Sequence, residues 1–371
     1  MSSDHAEADQ SFQSINDSLY RQGSTDGLPV VPPTEERVEE MLRGTDRPRD
    51  AVLGRLGNRE GRLTVEKLAT NAVMAGCRPP HMPVLEAGAR ALADPASNAI
   101  QFSVSTGSWA YQWLVNGPVR KALDIQSGTG AFGPGFRANR AIGRALGLAY
   151  KNIARIHPGE KDMGVMGSPF KYSLLAGENE EASPWEPYHV THGFDADDST
   201  ITLAGPNSFI QWTPYRSDAE HVLEGMILQT PPFMCGADFD VDAKKTILFA
   251  LCPYNAAELD EAGLDKRDVK EYLVENSYVP AEHYARGIVQ HKQLARKNEG
   301  EPVPRRQLSQ FGDPEYLKLV TIGGSGRFNA TIGNAIGGPV TKRIEFPDGW
   351  ESLVEEYAVE RDWVPEGGFY G

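Results

Sequence analysis

Cysteine is scarce in this chain. Its 371 residues include three, Cys77, Cys235 and Cys252, too few and too scattered for a disulfide framework or a four-thiolate zinc site. They read as reduced thiols in a cytoplasm. Long apolar runs are missing too, since none approaches the roughly 18 to 20 residues that span a bilayer. The opening MSSDHAEADQSFQS has neither the basic flank nor the apolar stretch of an ordinary signal peptide. Positive charge is in deficit. The 37 Lys and Arg against 51 Asp and Glu leave a formal charge of -14, a field that repels nucleic acid and anionic membranes. The expectation is a cytoplasmic protein whose partners are small molecules or other proteins.

What remains is an ordinary globular composition, 40% hydrophobic and 24% charged, long enough for one large domain or two modest ones. Residues 1–22 read as a mobile arm that orders on a neighbouring subunit, which implies a homo-oligomer. In DGLPVVPPTEERVEEMLRG the prolines hold an extended lead, Thr34 can cap, and a helix ends at Gly44. TVEKLATNAVMAG (64–76) places Val65, Leu68, Ala72 and Val73 on one helical side. Another helix is predicted at 82–93, and a third from the second half of 126–147 to about 154. Strands are predicted at AIQFSVS (99–105), YQWLVNG (111–117), 171–176, 200–204 and 246–251. Asp265 caps a helix over DKRDVKEYLVENS. The charged, apolar-poor segment 292–310 reads as a surface connection. EYLKLVTIGGSGRFNATIGNAIGG reads as a strand, a glycine turn and a short helix. The alternation makes the class α/β.

One internal similarity bears on architecture. ANRAIGRALG (138–147) and FNATIGNAIG (328–337) share Asn139/Asn329, Ile142/Ile332, Gly143/Gly333, Ala145/Ala335 and Gly147/Gly337. Either two small-residue segments match by chance, or an ancient duplication left two related lobes, 23–195 and 196–371, with a cleft between them. Such a cleft is a favoured place for a ligand.

Both segments follow glycine turns. GTGAFG (128–133) formally fits the dinucleotide pattern, which has force only directly after a strand and with an acid about 20 residues on. Here PVRKALDIQS intervenes and no acid appears before Glu160, so a dinucleotide is not expected. Neither turn ends in the Lys-Ser/Thr of a nucleotide P-loop. Glycine turns still offer close backbone approach and open N–H groups to an anion. Arg137 and Asn139 after the first turn, and Gly324, Ser325, Gly326, Arg327 and Asn329 in and after the second, are the candidate anion-binding residues. Alternatively the glycines permit tight packing and the arginines face solvent.

Two further stretches carry candidate chemistry. MAGCRPPHMP sets His81 four residues after Cys77 across a stiff proline pair, and a thiol beside an imidazole can ionise and attack. The competing reading is a buried structural cysteine with an unrelated histidine. GENEEASPWEPYHVTH (177–192) clusters Glu178, Glu180, Glu181 and Glu186 against a rigid Pro-Trp-Glu-Pro and near His189 and His192. Clustered carboxylates raise one another's pKa, which suits Glu178, Glu180 and Glu181 to proton transfer. A divalent metal is compatible with the same residues, and a solvated acidic loop is the bland alternative.

DGLPVVPPTEERVEEML, VEKLATNAVMAGC, VNGPVRKALDIQSGTGAFGPGFRANRAIGRAL, ENEEASPWEP and GGSGRF together resemble a bacterial family associated with small proteins that carry a UGSC motif. In that motif a selenocysteine or cysteine precedes Gly-Ser-Cys. The resemblance runs from about 27 to 345 and implies thiol or selenol chemistry with a small partner subunit. This chain has no such motif, so that centre would lie on the partner. The expected function is an enzyme of lyase or addition–elimination type acting on a small carboxylated or sulfur-containing metabolite. The alternative is a non-catalytic scaffold for the partner's reactive centre.

Overall fold

The computed structural model describes residues 3–57, 61–229, 245–279, 303–304, 314–359 and 361–362. Cys235 and most of the 292–310 connection lie outside the described residues. Alternation along the strands decides the layers. In the strand Gln112–Asn116, Trp113 and Val115 join one core and Leu114 another. In Leu174–Gly177, Leu175 joins the first core while Leu174 and Ala176 join the second. In Lys245–Leu251, Leu248 and Ala250 enter that same second core, while Ile247, Phe249 and Leu251 enter a third. Strands that bury both faces in this period-two manner belong to covered sheets.

Numbered along the chain, the strands are β1 (Val52–Leu56), β2 (Gly61–Thr64), β3 (Gln112–Asn116), β4 (Leu174–Gly177), β5 (Thr200–Ala204) and β6 (Ser208–Trp212), then β7 (Lys245–Leu251), β8 (Tyr278–Val279), β9 (Val303–Pro304), β10 (Leu317–Thr321), β11 (Asn329–Ile336) and β12 (Val340–Arg343). Two four-stranded sheets form, β12-β5-β3-β4 and β6-β11-β7-β10, beside two small hairpins. In each large sheet the pairings run antiparallel, antiparallel, parallel in that order. The sheets face each other across Leu114, Leu174 and Ala176 on one side and Leu248, Ala250, Val320 and Ile332 on the other.

The helices cover the outer faces. They are α1 (Ser3–Arg21), α2 (Glu35–Leu42), α3 (Val65–Ala75), α4 (Met82–Ala93), α5 (Gln101–Val104), α6 (Val119–Ala122), α7 (Arg137–Ala154), α8 (Ala219–Leu228), α9 (Pro253–Glu261), α10 (Lys266–Asn276) and α11 (Trp350–Glu356). Residues of α3, α4 and α7 share a core with Trp113 and Leu175 of the first sheet, and residues of α8, α9 and α10 share one with Phe249 and Leu319 of the second. The result is a four-layer α-β-β-α stack, mixed α/β as expected.

Sequence expectation and structure part at five places. Residues 3–21 form a helix in place of a mobile arm. Asn16 is buried, and its amide exchanges two hydrogen bonds with the backbone of Val30. AIQFSVS is in part the short helix α5, not a strand. FNATIGNAIG is mostly β11, not a helix, so its match to ANRAIGRALG, which lies in α7, relates a strand to a helix. Gly337, Gly338 and Pro339 cut the second segment too short for a stable helix, whereas the apolar period of α7 runs on past Leu146 to Ala149. The boundary at 195/196 does not follow the sheets, because β5 and β12 both complete the first one. Finally, the cysteine and histidine of MAGCRPPHMP are both in the protein interior: Cys77 follows the left-handed cap Gly76, and His81 ends a turn of 3-10 helix.

Candidate functional site between two glycine turns

The parallel pair of each sheet ends at one shared edge. There Gly323 N–H donates to the Ser127 carbonyl at 2.8 Å, and Asn179 N–H donates to the Thr321 carbonyl at 2.7 Å. The first glycine turn, 128–133, and the second, 323–330, thereby line one cleft of about 410 Å³. A side chain added at Gly324 would run into the Thr129 hydroxyl, so the close approach of the turns requires glycine there. The cleft wall is otherwise aromatic, with Phe132 and Phe170 both packed against Phe209.

Two asparagines hold the turns. The Asn139 amide donates to the carbonyls of Gln126, Ala131 and Leu175 and accepts from the Gln126 N–H. Asn329 accepts from the Cys252 N–H and from the Asn255 amide, while its own Nδ2, buried at the cleft, has no acceptor. Asn139 is thus a structural staple behind the first turn, and Asn329 is its counterpart behind the second. Ser325, Gly326 and Arg327 are exposed at the rim, where the Arg327 guanidinium lies over the Tyr254 ring.

The acidic cluster abuts the second turn, because Asn179 Nδ2 donates to the Gly323 carbonyl. Its carboxylates do not crowd one another bare. Glu178 is fully buried and accepts from Asn116 Nδ2 at 2.6 Å and from the Tyr188 N–H at 2.7 Å, with Lys266 Nζ at 3.4 Å. Glu180 accepts from Asn116 and the Gly117 N–H and pairs with Arg120 at 2.6 Å. Glu181 pairs with Arg120 and Lys121. Partial burial pushes the Glu181 carboxyl up, but hydrogen bonds from Arg120 and Lys121 outweigh it and hold the group down at about 2. The mutual repulsion expected from the sequence is therefore overturned at Glu181, since a buried arginine lies among the acids. The stiff segment is an anchor: Trp185 is buried in the outer core of the second sheet and donates through Nε1 to the Leu264 carbonyl.

Cys77 and His81 do not form a reactive pair. Cys77 is buried in the first core and makes no hydrogen bond to the imidazole, and burial pushes its thiol up, away from the thiolate a nucleophile needs. His81 is held down at about 3 by burial and by the neighbouring Arg137 and Arg78 guanidinia. His81 and Arg137 line a different cleft from the glycine turns. His192 stacks on Tyr188, and among the described residues no three of His, Cys, Asp and Glu gather to hold a metal ion.

Residues that sequence reasoning missed are Asn116, Arg120, Asn179, Asn255 and Lys266. Asn179 lay inside the acidic stretch with nothing local to mark it as a partner of the second glycine turn, and Arg120 inside VNGPVRKALD with nothing to mark it as a partner of the acids. No family model, curated protein or solved structure matches this chain. No helix among the described residues is long and apolar enough to cross a membrane.

Proposed function

We propose that the chain is an enzyme acting on a small anionic metabolite, carboxylated or sulfur-containing, held between the glycine turns, in a lyase or addition–elimination reaction. The observation that carries this reading is the convergence of both turns on one cleft with the unused Asn329 Nδ2 donor at its floor. Glycine backbone and an amide donor suit a carboxylate, and Phe132, Phe170 and Phe209 suit its apolar part. Glu180, which accepts from the Gly117 N–H, is the candidate for proton transfer among the clustered acids. The repeated order of strand directions, with GPN (205–207) and GGP (337–339) each carrying the chain from one sheet to the other, supports two lobes related by internal duplication.

One observation favours the scaffold reading. Of the cysteines among the described residues, Cys77 and Cys252 are both buried with thiols pushed up, which is in keeping with a reactive thiol or selenol supplied by a small partner. The test is turnover of small carboxylates and thioethers by the purified chain, alone and with a UGSC-motif partner. Arg327→Ala and Phe328→Ala, both at exposed rim positions, should weaken binding at least about tenfold, roughly 1.4 kcal/mol. Glu180→Gln should lower turnover roughly 10²- to 10⁴-fold if that acid moves a proton. Activity only with the partner selects the scaffold, and rim variants without effect remove the cleft as the site.

A further inference from the structure

On the far side of the 128–140 segment a second cleft, of about 1030 Å³, opens at the N-terminus of α7. Four arginines line it, Arg78, Arg137, Arg140 and Arg361, against two acids, Asp124 and Asp362. Arg361 is paired with Asp124 at 2.7 Å. Among the described residues the other three have no carboxylate partner. Arg78 donates to the Tyr357 carbonyl, Arg140 donates only to the carbonyls of residues 131, 132, 173 and 175 with its Nε left unsatisfied, and Arg137 makes no hydrogen bond or ion pair among the described residues. Burial pulls Arg140 down to about 10, still a cation at neutral pH. Three uncompensated guanidinia in one cleft are out of keeping with a chain of net charge -14.

The helix end adds donors. Phe136 caps α7 without a side-chain hydrogen bond, and the first helical bond is that of Arg140 N–H to the Phe136 carbonyl. The N–H groups of residues 137 to 139 are left without backbone acceptors, at the positive end of an 18-residue helix. His81 supplies an independent sign of a ligand. It is 6% exposed, its Nδ1 accepts from the Arg78 N–H at 3.2 Å, and its proton therefore sits on Nε2, which has no acceptor among the described residues. A neutral imidazole that can only donate, beside guanidinia that lack anions, matches an oxyanion acceptor.

We infer that this cleft binds the phosphate group of a small phosphorylated molecule, through Arg78, Arg137, the His81 Nε2–H and the first turn of α7. The inference is independent of the reading of the glycine-turn cleft. Arg140 links the two places physically, since its guanidinium grips the carbonyls of Ala131 and Phe132, which line the other cleft.

The test is titration of the full chain with inorganic phosphate at constant ionic strength, read by Tm and by the NMR signals of the His81 ring. Saturable stabilisation and a shift of the His81 Nε2–H signal are expected in the wild type. Arg137→Ala removes an exposed side chain that holds no partner among the described residues, so it should fold normally while phosphate affinity falls at least tenfold. Arg327→Ala, in the other cleft, should bind phosphate as the wild type does. An equal response to chloride, or a phosphate response unchanged in Arg137→Ala, overturns the inference.

Discussion

Arg120 shows how one side chain can reverse the chemistry of its neighbours. Its side chain is 3% exposed and contacts both Glu180 and Glu181, so the two acids share one buried counter-charge. Removing one partner of a buried pair leaves uncompensated charge, at a cost of about 3–5 kcal/mol. Arg120→Leu should lower the unfolding free energy from urea denaturation accordingly, and a value within about 1 kcal/mol of wild type (roughly the worth of an exposed pair) would show the cluster to be solvated. Glu181 gives a pH signature. Its folded value lies near 2, below its ordinary 4.5, so it binds a proton more weakly in the native state than in the unfolded chain. Its contribution is complete above about pH 4.5 and is lost as pH falls towards 2. Stability measured across that window should fall more steeply in wild type than in Glu181→Gln. For Cys77, the buried thiol should react with iodoacetamide only at the rate of unfolding. Rapid alkylation of the folded protein would return it to the list of nucleophiles.

At the scale of single elements, the first glycine turn depends on Asn139. The side chain is fully buried and satisfies four backbone groups in three segments. Asn139→Ala would strand those groups in the interior, where each unsatisfied one costs roughly 1–3 kcal/mol before relaxation. Loss of about 3 kcal/mol is expected, with amide exchange accelerated more at residues 126–131 than within α7. Uniform exchange with unchanged stability would show that the turn holds itself. The linkers tell the same story of close approach. At Gly337, φ is +75° and an added side chain would meet the Ser97 carbonyl, so this corner between β11 and β12 favours glycine on both counts.

The whole molecule is held together by exchanged strands. β5 lies in the first sheet and β6, three linker residues later, in the second, while β11 and β12 make the opposite crossing. The Ile336 N–H donates to the Gly205 carbonyl, and the Asn207 N–H to that of Gly333, so the two crossings lock against each other. With the chain divided between β6 and β7, each sheet is incomplete without a strand from the other half. Fragments cut between β6 and β7 should therefore stay unfolded alone by near-UV circular dichroism, and the intact chain should melt in one transition. Independent folding of either fragment would mean that the crossings are incidental.

Local physics determined much of this in advance. Asp265 accepts from the first turn of α10 as its residue type dictates, whereas Thr34 precedes α2 without a side-chain cap bond; α4 spans the range its apolar period marks, and β5 and β7 fall where apolar, β-rich runs put them. The sequence also marked two glycine turns, and those turns share a cleft. The tertiary structure alone decided the partners. FNATIGNAIG became a strand because β6 and β7 claim its hydrogen bonds on both sides, an interaction its own residues cannot announce. Glu180 and Glu181 met Arg120 across some sixty residues of chain. Cys77 and His81, close in sequence, went into the interior without pairing. Helix periods and caps depend on neighbours a few residues away and can be read in a line. Burial, counter-charge and sheet order depend on what folding brings from elsewhere.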